Sequence, residues 1–158
     1  MEASAALSYW LLVVTAATLF WVALTDLRKF KIRNDLILVL IGLFFIHAIL
    51  SGRWREIYWN IGLSVLVLAV MLYFYSRKLM GGGDAKLFAV AFLWTGPWCA
   101  LPFAILLSIF IGLHATAAKF GWVEVQVRED KRKRIPLAPS VAGALIGTIM
   151  MGCLRPMA

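Results

Sequence analysis

The sequence predicts an all-α fold, a polytopic membrane helix bundle with about six transmembrane helices, and three observations carry that prediction. Apolar residues make up 63% of the 158 positions and charged residues only 15%, against about 45–50% and about 25% in soluble domains. The apolar residues gather into stretches near the roughly 20 residues that cross a hydrocarbon core of about 30 Å. The Lys and Arg residues gather between those stretches, mostly in alternate gaps. Such a chain lacks the polar surface to cover itself in water. A single integral membrane domain over residues 1–158 is expected.

Six spans follow, at about 7–25, 36–50, 57–75, 85–97, 98–118 and 137–154. No basic residue precedes the first span and its basic cluster follows it, the reverse of a signal peptide, so it is expected to be retained. The second and fourth spans are short. The fourth and fifth meet at Thr95-Gly96-Pro97-Trp98, where Pro97 disfavours helix at Gly96 and a turn is expected. In the long loop 119–136, valines alternate with polar residues from Trp122 to Arg128, the period of a half-buried strand, with Glu129-Asp130 as its turn. That strand either closes a short surface hairpin or lends its edge to an extended peptide.

Orientation comes from the loops. Thirteen of the 16 Lys and Arg residues lie in segments 26–35, 76–86 and 119–136; the others are Arg53, Arg55 and Arg155. Basic loops stay in the cytoplasm, which puts both termini outside. The net charge of +8 is thus accounted for by topology, and no nucleic-acid partner is expected. Cys99 and Cys153 are the two cysteines and there is no C-x-x-C, so a Cys-based zinc site is excluded. Both fall near outer span ends, where free buried thiols are expected over a disulfide. No cluster suggests a metal, no glycine loop suggests ATP, and no cofactor is expected.

Chemistry points to two aspartates. A charged side chain at a helix centre costs about 2.5–3.5 kcal/mol on insertion scales, less toward the interface. No Asp or Glu lies mid-span, but Asp26 sits at the inner end of the first span and Asp84 at the start of the fourth. On this topology they share one depth and one side. Two such carboxylates serve acid–base hydrolysis: one takes a proton from water while the other, protonated, donates to the substrate carbonyl. Held close, they would share one proton and titrate as a pair. Asp84, at a helix start, has the dipole favouring its anion and is expected as the base; Asp26, at a helix end, as the acid. Gly81-Gly82-Gly83 precede Asp84. Glycines cost about 1 kcal/mol each inside a helix, and their expected use is close backbone approach and unusual dihedrals, suited to an extended peptide. Taken singly, an Asp at a span end is an ordinary boundary residue and a glycine run an ordinary connector. Their combination on one side points to a site.

Gly81-Gly82-Gly83-Asp84 fits the G-x-G-D motif of membrane aspartyl proteases. Asp26-Leu27-Arg28-Lys29-Phe30-Lys31-Ile32-Arg33-Asn34 resembles an aspartate at a span end followed by a basic stretch and an Ile-Pro-Asn-like triplet. Ile135-Pro136-Leu137-Ala138-Pro139 resembles a proline-containing entry to the last helix. In this order, over roughly residues 7–154, the chain resembles the type IV prepilin peptidases, and its small size resembles the tight-adherence (Flp-type) members. The resemblance implies an aspartic-type endopeptidase of the bacterial cytoplasmic (inner) membrane that removes the short basic leader of pilin and pseudopilin precursors. It implies Asp26 and Asp84 as the catalytic pair, with Gly81, Gly82, Gly83, Lys86 and Pro136 shaping the substrate site. Arg33 stands where the family often has proline. The paired C-x-x-C region of larger members is absent, so N-methylation is not expected.

The remaining polar residues have plainer readings. Asp35, at a helix start, is expected to satisfy amide groups and the helix dipole. His47 and Asn60, near outer span ends, are expected in interhelical hydrogen bonds. His114 is expected to pack rather than to touch the site, and the seven tryptophans to anchor mostly at the interfaces. The rival class is a non-catalytic membrane subunit or scaffold of a pilus or secretion assembly, which would tolerate loss of either carboxylate.

Overall fold

In hydrocarbon, an unpaired backbone N–H or C=O costs several kcal/mol, so apolar runs of this length fold as helices. The computed structural model describes residues 2–29, 32–52, 54–120, 126–127, 133–134 and 137–153. Five helices account for nearly all of them: α1 (Glu2–Lys29), α2 (Asn34–Leu50), α3 (Trp54–Ser76), α4 (Gly82–Lys119) and α5 (Ala138–Met150). Three of these are long and apolar enough to cross a membrane, over Ala6–Arg28, Glu56–Ser76 and Gly82–Ala117; α2 and α5 are shorter apolar helices.

The turn expected at Thr95–Trp98 lies at Gly96, which breaks α4 with φ 58° and ψ −174°. Only glycine occupies that region without strain. Phe92 and Phe103 pack edge to face across the break, 5.2 Å between centroids, so the two arms of α4 fold back on each other. The first arm lies along α3, with Ser64 Oγ donating to Ala89 C=O at 2.8 Å. It also lies along α2, where the fully buried Trp94 donates its indole N–H to Leu40 C=O at 3.1 Å. The second arm runs antiparallel to α5. There Gly143 and Gly147 form a G-x-x-x-G stripe: a Cβ on either would press to 3.1 Å from the Phe110 ring or 3.0 Å from Leu106. Small residues at this spacing let helix backbones approach closely where lipid offers no hydrophobic drive.

Helix direction alternates along the chain, so the end of α1, the start of α2, the end of α3, both extremities of α4 and the start of α5 gather at one end. That end carries Arg28, Arg33, Arg77, Lys78, Lys86 and Lys119, as the loop-charge reading expects. Outward faces are strongly apolar, with Trp10, Phe20, Trp21, Tyr58, Trp59 and Leu66 all exposed, a surface suited to lipid. Trp94, in contrast, is core rather than an interface anchor.

One expectation needs correcting. Cys99 and Cys153 are joined in a disulfide, their Cα atoms 6.1 Å apart. The sequence puts both at one end of the bundle, but only the antiparallel packing of α5 on the second arm brings them face to face. Between α4 and α5, β1 (Gln126–Val127) pairs antiparallel with β2 (Lys133–Arg134), Gln126 opposite Arg134 and Val127 opposite Lys133. This is the hairpin alternative, with two-residue strands. Residues 123–125 of the expected strand and its Glu129-Asp130 turn lie outside the described residues.

Candidate active site

Asp26 lies in the last turns of α1 and is buried, 4% exposed. Its position follows from α5. The first amide groups of a helix have no intrahelical partner, and the residue before α5, Leu137, supplies no side-chain cap. Asp26 Oδ2 fills the gap by accepting the Ala138 N–H at 3.2 Å. The carboxylate therefore also meets the positive dipole end of α5. The expectation that Asp26 sees only the unfavourable end of its own helix is incomplete.

His114, near the end of the second α4 arm, interacts electrostatically with Asp26. Its Nδ1 lies 3.3 Å from Ser140 Oγ, and Ser140 is two residues beyond Ala138. The first turn of α5 thus holds both side chains. His114 is not the remote packing residue the sequence suggests. Its only sequence signal, a position about one turn from the inner end of a span, could not reveal a neighbour 88 residues away in the chain. Beside this cluster a groove of about 470 Å³ opens, lined by Leu27, Phe110, Leu113, His114 and Ser140 among others.

Asp84 occupies the first turn of α4 at the same end of the bundle. The glycines before it act through contact. A Cβ on Gly83 would stand 3.1 Å from Ile32 Cβ, and one on Gly82 3.3 Å from the Tyr75 ring. The helix start carrying Asp84 is thereby seated against the α1–α2 connection, only a few residues from Asp26. The unusual dihedrals expected of the glycine run are not found: the glycines with positive φ among the described residues are Gly52, Gly96 and Gly152. Gly82 and Gly83 are already helical, so it is their missing side chains that matter.

Lys86 donates from Nζ to Asn34 Oδ1 at 3.0 Å, joining the starts of α4 and α2. Asp35 is exposed in the first turn of α2 and pairs with Arg33 at 2.8 Å; the bond to backbone amides expected of it is not found among the described residues. Pro136, expected to shape the site, lies outside the described residues. At the opposite end His47 packs on Trp94, 5.6 Å between ring centroids. Asn60 is buried against Gly96, and its Oδ1 has no hydrogen-bond partner among the described residues, so the interhelical hydrogen bond expected of that oxygen is not found. Among the described residues, no group of three or more His, Cys, Asp or Glu is placed to hold a metal.

A buried carboxylate, a histidine its charge acts on, a groove beside them and a second carboxylate on a helix start seated against the α1–α2 connection gather at one end of the bundle. A family model described as the type IV leader peptidase family matches residues 13–117. The match holds Asp26, Asp84 and His114 and ends before α5, so the Pro136 region lies beyond it. No curated protein and no solved structure matches the chain. With 105 of its 158 residues (13 to 117 inclusive) inside the match, the chain belongs to the type IV leader peptidase family.

Proposed function

We propose that this protein is a membrane aspartyl endopeptidase that removes the short basic leader of Flp-like pilin and pseudopilin precursors at the cytoplasmic face of the inner membrane. The observation that carries the reading is the placing of Asp26 and of the helix start bearing Asp84 at one basic end of the bundle, inside a leader peptidase match. One carboxylate, as general base, takes a proton from water while the water oxygen bonds to the scissile carbonyl carbon. The other, protonated, donates to the carbonyl oxygen as it becomes tetrahedral. Collapse of that intermediate breaks the C–N bond, and the proton held by the base passes to the leaving amine. Water is the only co-reactant. The groove beside Asp26 gives the substrate chain a place to lie, and the lipid bilayer holds both partners in one plane. The abundance of Arg and Lys at this end supports a cytoplasmic orientation.

One observation favours the scaffold reading: Asp26 caps α5, a purely structural task. Asparagine separates the two, because its amide oxygen can still accept the Ala138 N–H but cannot exchange a proton. Co-expression with an Flp-like precursor, scored by leader removal, should show processing lost in Asp26→Asn and Asp84→Asn and kept in Asp35→Asn, with all three proteins inserted. The losses should be at least about 10²–10⁴-fold, the usual contribution of a general acid or base. Continued cleavage by either of the first two variants would leave the scaffold reading standing.

A further inference from the structure

We propose that His114, held by Ser140, is a positioning residue for Asp26, so that cleavage depends on the charge state of an imidazole as well as on two carboxylates; this rests on the peptidase reading above. The geometry begins with α5. Its first turn offers the Ala138 amide to Asp26 Oδ2 at 3.2 Å and the Ser140 hydroxyl to His114 Nδ1 at 3.3 Å. Two side chains from different helices are therefore set by the same turn of α5, one through a backbone amide and one through a side-chain hydroxyl. The G-x-x-x-G contact of Gly143 and Gly147 with Phe110 and Leu106 fixes α5 on the arm that carries His114.

Ser140 Oγ also lies 3.5 Å from Phe110 C=O, and one hydroxyl proton serves one acceptor at a time. If it goes to Phe110, His114 Nδ1–H donates to Oγ and Nε2 is the basic nitrogen. If it goes to Nδ1, Nε2 carries the proton. In both arrangements Nε2 is buried with no hydrogen-bond partner among the described residues, although the ring lines the groove. A buried polar atom left unpaired is costly, so the ring is held through Nδ1 alone.

Among the described residues, the charged group that His114 meets is Asp26, from α1. From α5 come the neutral Ser140 hydroxyl and the Ala138 amide, and no other charge on the second α4 arm acts on the ring. An imidazolium favours a neighbouring carboxylate anion and a neutral imidazole does not. His114 touches neither nucleophile nor scissile bond in this scheme; it acts through Asp26.

The test is steady-state cleavage of an Flp-like precursor by the purified full-length protein in lipid vesicles, as a function of pH, for wild type, His114→Gln, Ser140→Ala and Asp26→Asn. His114→Gln should lower kcat roughly tenfold or more with KM within about twofold, the pattern of a contact used in the transition state. It should also remove one ionisation from the pH–rate profile, and Ser140→Ala should move that same ionisation. Wild-type kcat and an unaltered pH profile in His114→Gln would overturn the inference. Should His114→Gln fail to fold, an unaltered profile in Ser140→Ala and His114→Asn overturns it instead. An inactive Asp26→Asn beside a silent His114→Gln removes the inference alone; an active Asp26→Asn removes the two-aspartate mechanism with it.

Discussion

At the end of the bundle holding Asp26, polar side chains reach other elements, Asp26 to Ala138, His114 Nδ1 to Ser140 and Lys86 to Asn34, with His114 Nε2 buried and unpartnered among the described residues. At the opposite end, Asn60 Oδ1 and Thr95 Oγ1 are buried without hydrogen-bond partners among the described residues. There a left-handed Gly96 turns the chain and the Cys99–Cys153 disulfide ties α5 to α4. The hollows differ too. The first end opens a groove of about 470 Å³, while the second encloses about 20 Å³ between Phe44, His47, Asn60, Trp94 and their neighbours, room for a single water. One end has the shape of a place where something enters, the other of a place where helices are locked. Stability and activity should therefore separate along the bundle axis.

The sharpest break in that contrast is Gly96→Ala. A side chain at φ 58° and ψ −174° costs about 1–3 kcal/mol from the backbone alone. The new Cβ would also collide with the Asn60 amide, so this variant should show the largest fall in thermal midpoint in detergent. Cys99→Ser with Cys153→Ser should follow, at about 2–4 kcal/mol, while kcat for precursor cleavage stays near wild type because the site lies at the other end. A large drop in kcat with an unchanged midpoint would show that the two ends are coupled.

Gly83→Ala sharpens the comparison from the other side. The added methyl meets Ile32 Cβ at 3.1 Å, a tight contact of the kind that costs about 1–3 kcal/mol in a packed core. Displacing the helix start that bears Asp84 should lower kcat more than it lowers the midpoint. An equal effect on both would make Gly83 merely structural. The smallest effect is expected from Asp35→Asn. Its pair with Arg33 is exposed, with side chains 69% and 71% accessible, and exposed ion pairs contribute little. Its midpoint and processing should both match wild type within error.

How much was legible beforehand differs by residue. Asp84 could be found because its signal is local: three glycines and an acid at a helix start. Asp26 could be singled out only in combination with Asp84, since an Asp at a span end is by itself an ordinary boundary residue. The cap that Asp26 provides to Ala138 spans 112 positions and the Ser140–His114 contact 26, and such pairings leave no trace in spacing. The expected free thiols failed for the same reason, since Cys99 and Cys153 stand 54 positions apart.

The sequence alone determined the all-helical class, the break at Gly96 and the segregation of basic residues, and singled out both aspartates as candidates, because hydrophobic length, proline and glycine chemistry and charge act over a few neighbouring residues. Tertiary structure alone decided that α5 caps Asp26 and delivers Ser140 to His114, that Gly82 and Gly83 serve contact rather than torsion, and that the cysteines meet. Those outcomes depend on which helix faces overlap and how far each helix slides, and that is settled by side-chain packing between segments the chain keeps far apart.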